Sequence, residues 1–131
     1  MATDDFVYLT TSEAIKFHVL YMRKVGESRF GVFDRTLIES ALARPQHAVT
    51  YENADLIRQA ATLLLGLIKN HPWEGGNKRT ATFLTNLFLK RNGYKITAST
   101  SDLIELCLKI ESDEWKVDAI EQWLRKRVAK T

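Results

Sequence analysis

The chain has 131 residues, of which 45% are hydrophobic, and this is enough to bury one core without disulfides or structural metals. Its 19 basic and 16 acidic residues leave a net charge of +3, a balance that does not favour nucleic acid as a direct partner. The single cysteine, Cys107, excludes a disulfide framework, and its apolar neighbours predict a buried, unreactive thiol. No apolar stretch is long enough for a bilayer, and residues 1–5 do not resemble a signal peptide. We therefore expect one domain, residues 1–131, in the cytoplasm and without a membrane partner.

The first part of the chain predicts two helices. Thr10 is followed three residues later by Glu13, which is typical of a capping box, and apolar residues then recur at helical spacing to about Lys24. Asp34 is suited to cap a second helix. Because the residue before a proline avoids helical geometry, this second helix is predicted to end at Arg44-Pro45.

A connection is predicted to follow over residues 46–52. Val49, Thr50 and Tyr51 belong to a weakly alternating stretch, which favours either an extended β flap or a plain connecting loop. Asn53 is predicted to cap a third helix that is apolar on several faces. We expect this helix to be central and largely buried.

The second half of the chain predicts three more helices. The fourth is predicted to end at Asn92-Gly93, a pair suited to a left-handed stop, and residues 94–96 favour an extended segment. A fifth helix begins near Ser99, and a sixth runs from about Val117 with Val128 on its apolar face. The fold class predicted is all-α, a bundle of about six helices with room for a short β flap.

Residues 71–79, between the third and fourth helices, carry the chemistry. His71 is a potential proton acceptor, and Gly76 and Asn77 form a turn that lets backbone N–H groups approach an anion. Lys78 and Arg79 follow in the first helical turn, where the helix dipole disfavours cations unless an anion offsets them. An isolated Gly-Gly-Asn run would more often be a simple turn, but the whole pattern indicates a phosphate site.

The run from His71 to Arg79 resembles the signature of the Fic/Doc family, His-x-Phe-x-(Asp/Glu)-(Gly/Ala)-Asn-(Gly/Lys)-Arg. The ending Asn77-Lys78-Arg79 is similar to the Doc (death-on-curing) branch, as are residues 34–45 and 88–94. The resemblance implies a Fic/Doc fold. It also implies that His71 is a general base and that Gly76, Asn77, Lys78 and Arg79 bind nucleotide phosphates.

The resemblance further implies a function. A Doc-like protein is the toxin of a toxin–antitoxin pair, and it transfers phosphate from ATP to a Ser/Thr hydroxyl of a translation factor similar to elongation factor Tu. A separate Phd-like antitoxin would inhibit it, and Val49, Thr50 and Tyr51 would form the flap that aligns the target by strand addition. The alternative of an AMP-transferring Fic enzyme is disfavoured by Lys78.

One position departs from the family pattern. Gly75 stands where the family carries the acidic residue that holds magnesium, so binding of Mg²⁺ with ATP is in doubt. Glu74 is an unlikely substitute, because adjacent residues at a helix start point about 100° apart. Gly75 is either native or an inactivating change, and the chain is then either an active kinase or a catalytically silent module that binds antitoxin or nucleotide. Trp73 replaces the usual Phe, and we expect its ring to be buried.

Overall fold

Six α-helices and one two-stranded sheet form the fold over residues 5–32 and 34–131, the part of the chain that the computed structural model describes. The prediction of an all-α fold with about six helices is confirmed. In chain order the elements are α1 (Thr11–Lys24), α2 (Arg35–Glu52), α3 (Leu56–Asn70), α4 (Asn77–Arg91), β1 (Tyr94–Ile96), α5 (Thr100–Glu111), α6 (Val117–Arg125) and β2 (Val128–Lys130).

Helix α3 is the centre of the bundle. It packs against α2, α4, α5 and α6, and ten of its 15 residues are buried, which confirms the predicted central helix. Gly66 allows the close approach of α2, because a Cβ atom there would lie 3.3 Å from the Cα atom of Ala41 in the α2 backbone. The central position of α3 fixes where its C-terminal end, and the residues that follow it, lie in the molecule.

Local capping signals are accurate at three helix starts. Thr10 and Glu13 form the reciprocal capping box of α1. The side chain of Asp34 accepts from the Thr36 N–H group at 2.9 Å at the start of α2, and Ser99 accepts from the Asp102 N–H group at the start of α5. Each side chain satisfies a backbone donor that its helix cannot.

The predicted end of the second helix is wrong, because α2 continues through Pro45 to Glu52. Pro45 cannot donate the hydrogen bond to the Ala41 carbonyl, but Ala41, Pro45 and Ala48 are all buried along one side of the helix. Packing of α2 on α3 therefore keeps the helix intact despite the proline.

This longer helix also overturns the predicted connection. Val49, Thr50 and Tyr51 lie in the last turns of α2, so both alternatives considered there, the extended flap and the plain loop, are wrong. Asn53 does not cap the third helix but ends the second, in the left-handed conformation with φ of 54°, and Asp55 caps α3 instead. Asparagine tolerates positive φ, which explains why Asn53 is suited to end α2.

The C-terminal end differs from the predicted pattern at one residue. Gly93 adopts φ of 90° after α4, as the predicted stop requires, and β1 confirms the extended segment. Val128, however, lies in β2 and pairs with Ile96 of β1, whereas the sequence places it on the sixth helix. The Thr97 N–H group donates to the Arg127 carbonyl at 2.6 Å, and such long-range pairing is invisible to helical periodicity.

No helix among residues 5–32 and 34–131 is both long enough and apolar enough to cross a bilayer.

Candidate functional site

The segment from His71 to Gly76, here called the motif loop, joins α3 to α4. His71 ends α3 in the left-handed conformation, with φ of 47°, and about half of its side chain is exposed. Trp73 is buried, as predicted, with 2% of its surface exposed. The Asn77 side chain donates to the Trp73 carbonyl at 3.0 Å and accepts from the Trp73 N–H group at 3.1 Å. These paired bonds close the loop into a fixed turn.

Gly76 is the N-cap of α4 and adopts φ of 68°, which disfavours any residue with a side chain. Space imposes the same choice, because a Cβ atom at Gly76 would collide with the sulfur of Met22. Within the described ranges, no side chain caps this helix end. The first N–H groups of α4 are therefore available to an anion, which is the property expected of a phosphate cradle.

Glu111, at the end of α5, lies between His71 and Lys78 of the motif. Its Oε2 atom is 3.6 Å from Nε2 of His71, and Nζ of Lys78 lies 3.3 Å from both carboxylate oxygens. Lys69, the penultimate residue of α3, donates to the Glu111 carbonyl at 3.3 Å and holds the two helix ends together. Sequence reasoning missed Glu111, since only the fold brings this residue to the motif.

A cavity of about 340 Å³ opens beside the first turns of α4. Its lining joins cationic residues to an apolar wall: Tyr21, Lys78, Arg79, Thr82, Thr100, Leu103, Ile104 and Cys107. A larger cavity of about 560 Å³ contains none of the motif residues. Burial raises the pKa of Cys107 to about 11, so its thiol stays protonated and unreactive, as predicted.

His18 of α1 lies directly behind the motif loop. It is fully buried, its ring stacks on Trp73 with centroids 4.0 Å apart, and its Nδ1 atom is 2.6 Å from Oγ1 of Thr80. Burial lowers the pKa of His18 from 6.5 to about 4, an effect that the Phe30 backbone opposes in part. The ring is therefore neutral at pH 7. The sequence offered no signal for this residue beyond its place on the buried face of a helix.

The segment between α1 and α2 runs antiparallel to the motif loop. The Glu74 N–H group donates to the Gly31 carbonyl at 3.0 Å, and Val32 forms a β bridge with Trp73. The extended strand-like partner of the motif is thus residues 29–32, whereas Val49–Tyr51 are helical. The sequence analysis did not identify residues 29–32 as a neighbour of the motif.

No carboxylate stands at position 75, where the family resemblance places the magnesium ligand. Gly75 offers no ligand, and the Glu74 carboxylate lies against Gly31. Glu111 is the carboxylate at the motif, and it is paired with Lys78. No cluster of three or more His, Cys, Asp or Glu side chains suited to a metal occurs in residues 5–32 and 34–131.

The predicted phosphate residues come together at one end of α4. Gly76, Asn77, Lys78 and Arg79 form its cap and first turn, and His71 shares Glu111 with Lys78. Asn77 has its side chain engaged with Trp73, which leaves its backbone N–H group as the part that can face an anion.

Residues 8–89 match the family model described as Fic/DOC family. The chain belongs to the Fic/Doc family. The protein named protein kinase doc of Escherichia phage P1 is 30% identical over 120 residues, which cover 91% of this chain and 94% of that protein. Toxin Doc of Mycolicibacterium smegmatis is 42% identical over 79 residues, covering 56% of this chain and 61% of that protein. These relatives support the Doc branch of the family.

Solved Fic domains share the fold at low sequence identity. The N-terminal Fic domain of a putative cell filamentation protein of Bartonella quintana, with bound ADP, has a TM-score of 0.52 at 16% identity and covers 72% of this chain. BepC of Bartonella tribocorum, with bound AMPPNP, has a TM-score of 0.51 at 12% identity and also covers 72% of this chain. The matched regions span 48% and 49% of those two longer chains.

The lowered pKa of His18 makes a prediction about stability and pH. The unfolded histidine binds a proton as the pH falls through 6.5, but the folded one binds it only near 4, so stability falls with pH across this interval. Between pH 7.5 and pH 5 we expect a loss of about 2 kcal/mol from this residue. Urea denaturation at the two pH values measures it.

In His18→Gln this part of the pH dependence should disappear. In the control His47→Gln, which alters an exposed histidine of α2, it should remain. Equal pH dependence in wild type and His18→Gln would contradict the assignment.

The ion pair between Glu111 and Lys78 leads to a prediction about anion binding. Replacing its carboxylate by an amide in Glu111→Gln frees Lys78 from its counter-ion, and we expect affinity for pyrophosphate to rise about fivefold, the scale of one partly exposed ion pair. Calorimetric titration measures the change. The control Glu114→Gln removes a carboxylate that pairs with Lys109, and it should bind as the wild type does. Unchanged affinity in Glu111→Gln would mean that the ion pair does not compete with the anion.

Proposed function

We propose that this chain is a Doc-like toxin that acts in the cytoplasm and transfers phosphate from ATP to a Ser or Thr hydroxyl of a translation factor similar to elongation factor Tu. The observation that carries the proposal is the assembly at one helix end of a half-exposed histidine, a glycine N-cap and two cationic side chains. The kinase and toxin names of the two Doc relatives support the reaction and its consequence.

In the proposed reaction the target hydroxyl attacks the γ-phosphorus of ATP. His71 accepts the hydroxyl proton as the new oxygen–phosphorus bond forms. The bond between the γ-phosphorus and the bridging oxygen breaks, and ADP leaves with the electron pair. The α4 N–H groups, Lys78 and Arg79 offset the phosphate charge, which is the largest contribution that a protein makes to phosphoryl transfer.

The cavity beside α4 is the proposed nucleotide site. Its Lys78 and Arg79 side chains suit phosphates, while Leu103 and Ile104 offer apolar surface to a base. Its volume of about 340 Å³ lies at the small end of ligand pockets. Bound ADP and AMPPNP in the two Bartonella structures support nucleotide as the ligand class.

The proposed target-binding edge is the segment of residues 29–32. It already pairs with the motif loop through Gly31 and Val32, so a target strand on its outer edge would bring a hydroxyl towards His71. We also propose a separate Phd-like antitoxin as the inhibitor, on the strength of the toxin name carried by a relative.

A second candidate function is a catalytically silent module that binds nucleotide or antitoxin. Gly75 favours it, since the motif offers no carboxylate at the position where the family holds magnesium. Packing also favours glycine at position 75, because a Cβ atom there would lie 2.6 Å from the Arg29 carbonyl oxygen. AMP transfer is the third candidate, and Lys78 disfavours it.

ATP binding distinguishes these candidates from a chain without a nucleotide site. We expect calorimetric titration to show ATP binding with little dependence on Mg²⁺, because Gly75 offers no carboxylate to the ion. Arg79→Ala should weaken binding about tenfold through loss of a charged phosphate contact. The control Lys95→Ala changes an exposed cation of β1 and should have no effect. No ATP binding by the wild type would refute the proposed function.

Substitution at Gly75 separates the metal requirement from packing. Gly75→Ala adds only the Cβ atom that meets Arg29, and we expect a stability loss of about 1–3 kcal/mol with no more growth arrest than the wild type causes. Gly75→Asp carries the same steric cost but adds the carboxylate, and we expect it to make ATP binding depend on Mg²⁺ and to restore or greatly raise growth arrest on expression, relative to the wild type.

The double variant Gly75→Asp with His71→Ala should bind ATP but not arrest growth. Mass spectrometry of a target that the single variant Gly75→Asp has modified then distinguishes a phosphoryl from a nucleotidyl adduct. A folded Gly75→Asp protein that neither binds Mg²⁺ with ATP nor slows growth would rule out the metal argument.

A further inference from the structure

His18 contacts the motif on both sides of the anion cradle. Its ring stacks on Trp73, before the cradle, and its Nδ1 atom lies 2.6 Å from the hydroxyl of Thr80, after it. The six residues between these two contacts include Gly76, Lys78 and Arg79. One buried side chain of α1 therefore touches both flanks of the segment proposed to hold phosphate.

Both residues that His18 contacts, Trp73 and Thr80, are also hydrogen-bonded within the site. The Trp73 backbone is bonded through both its N–H group and its carbonyl to the Asn77 side chain. The Thr80 N–H group donates to the Gly76 carbonyl at 2.8 Å and closes the first turn of α4. A shift of the His18 ring would be transmitted to the loop and to the helix start together.

Among the described residues, two buried polar atoms at the contact between His18 and Trp73 lack a hydrogen bond. Within the described ranges neither Nε2 of His18 nor Nε1 of Trp73 makes a hydrogen bond, although both atoms are buried; the Phe30 backbone lies close enough to His18 to favour its protonated form. An apolar residue would avoid this cost but could not bond to Thr80. Buried groups left unpaired in a native core call for such a compensating reason.

We propose that His18 is a positioning residue for the transfer reaction, which holds Trp73 and Thr80 so that the backbone N–H groups of the motif converge on the phosphate. The inference rests on the proposed function, because it assigns a purpose to the fixed geometry of the cradle. His18 itself does not touch the nucleotide.

Three substitutions separate positioning from general stability. His18→Phe keeps an aromatic ring against Trp73 but cannot bond to Thr80. Thr80→Val removes the hydroxyl, and Thr80→Ser retains it. The matched control is Thr85→Val, which alters another fully buried threonine of α4 whose hydroxyl has no hydrogen-bond partner among the residues described.

Calorimetric ATP titration is the first readout, at a temperature where circular dichroism shows every variant to be folded. We expect about tenfold weaker binding in His18→Phe and Thr80→Val, the effect of losing one buried hydrogen bond. Thr80→Ser and Thr85→Val should bind as the wild type does. Wild-type affinity in both His18→Phe and Thr80→Val would overturn the proposal.

Amide hydrogen exchange is the second readout, and it needs no ligand. Positioning predicts faster exchange confined to residues 74–79 in His18→Phe and Thr80→Val. Faster exchange spread equally over α3 would indicate a merely structural role and overturn the proposal. If the wild type binds no ATP, the proposed function fails, but the exchange pattern still decides whether His18 orders the cradle.

Discussion

The structure of the site depends on the two hydrogen bonds between the Asn77 side chain and the Trp73 backbone. They close the turn between α3 and α4, so the end of one helix and the start of the other face the same space. Without this closure His71 and the first turn of α4 would be independent. The left-handed conformations of His71 and Gly76 bend the chain on each side of the same turn. Asn77 therefore acts through loop geometry as well as through its backbone N–H group.

Electrostatics explains why this helix start is suited to an anion. Lys78 and Arg79 lie where the dipole of α4 is positive, an arrangement that is unfavourable unless negative charge is present. In the described structure Glu111 supplies that charge to Lys78. A phosphate has to replace a carboxylate that is already paired, so part of the attraction between phosphate and Lys78 is spent on separating an ion pair. A residue outside the motif, Glu111, is therefore expected to lower the affinity of the proposed site for phosphate.

Sequence reasoning predicted the motif and the local features of the fold. It failed where the conformation or position of a residue depends on segments that are distant in the sequence. Thr10, Asp34 and Ser99 act within one helical turn of themselves, so their caps could be read directly. Pro45 was misleading because burial against α3 outweighs its local preference. Glu111 and His18 reach the motif only through helix packing, and a single sequence contains no spacing that would reveal them.

Gly75 lies where the motif loop contacts residues 29–32. The segment that pairs with the motif loop also fills the space beside Gly75, since the Arg29 carbonyl lies where a Cβ atom would be. A carboxylate at this position therefore requires residues 29–32 to move, and these residues are the proposed edge for the target strand. In the proposed function, metal binding and alignment of the target would therefore depend on each other. The glycine permits a closer contact between this edge and the motif, at the expense of the ligand that a magnesium ion would need.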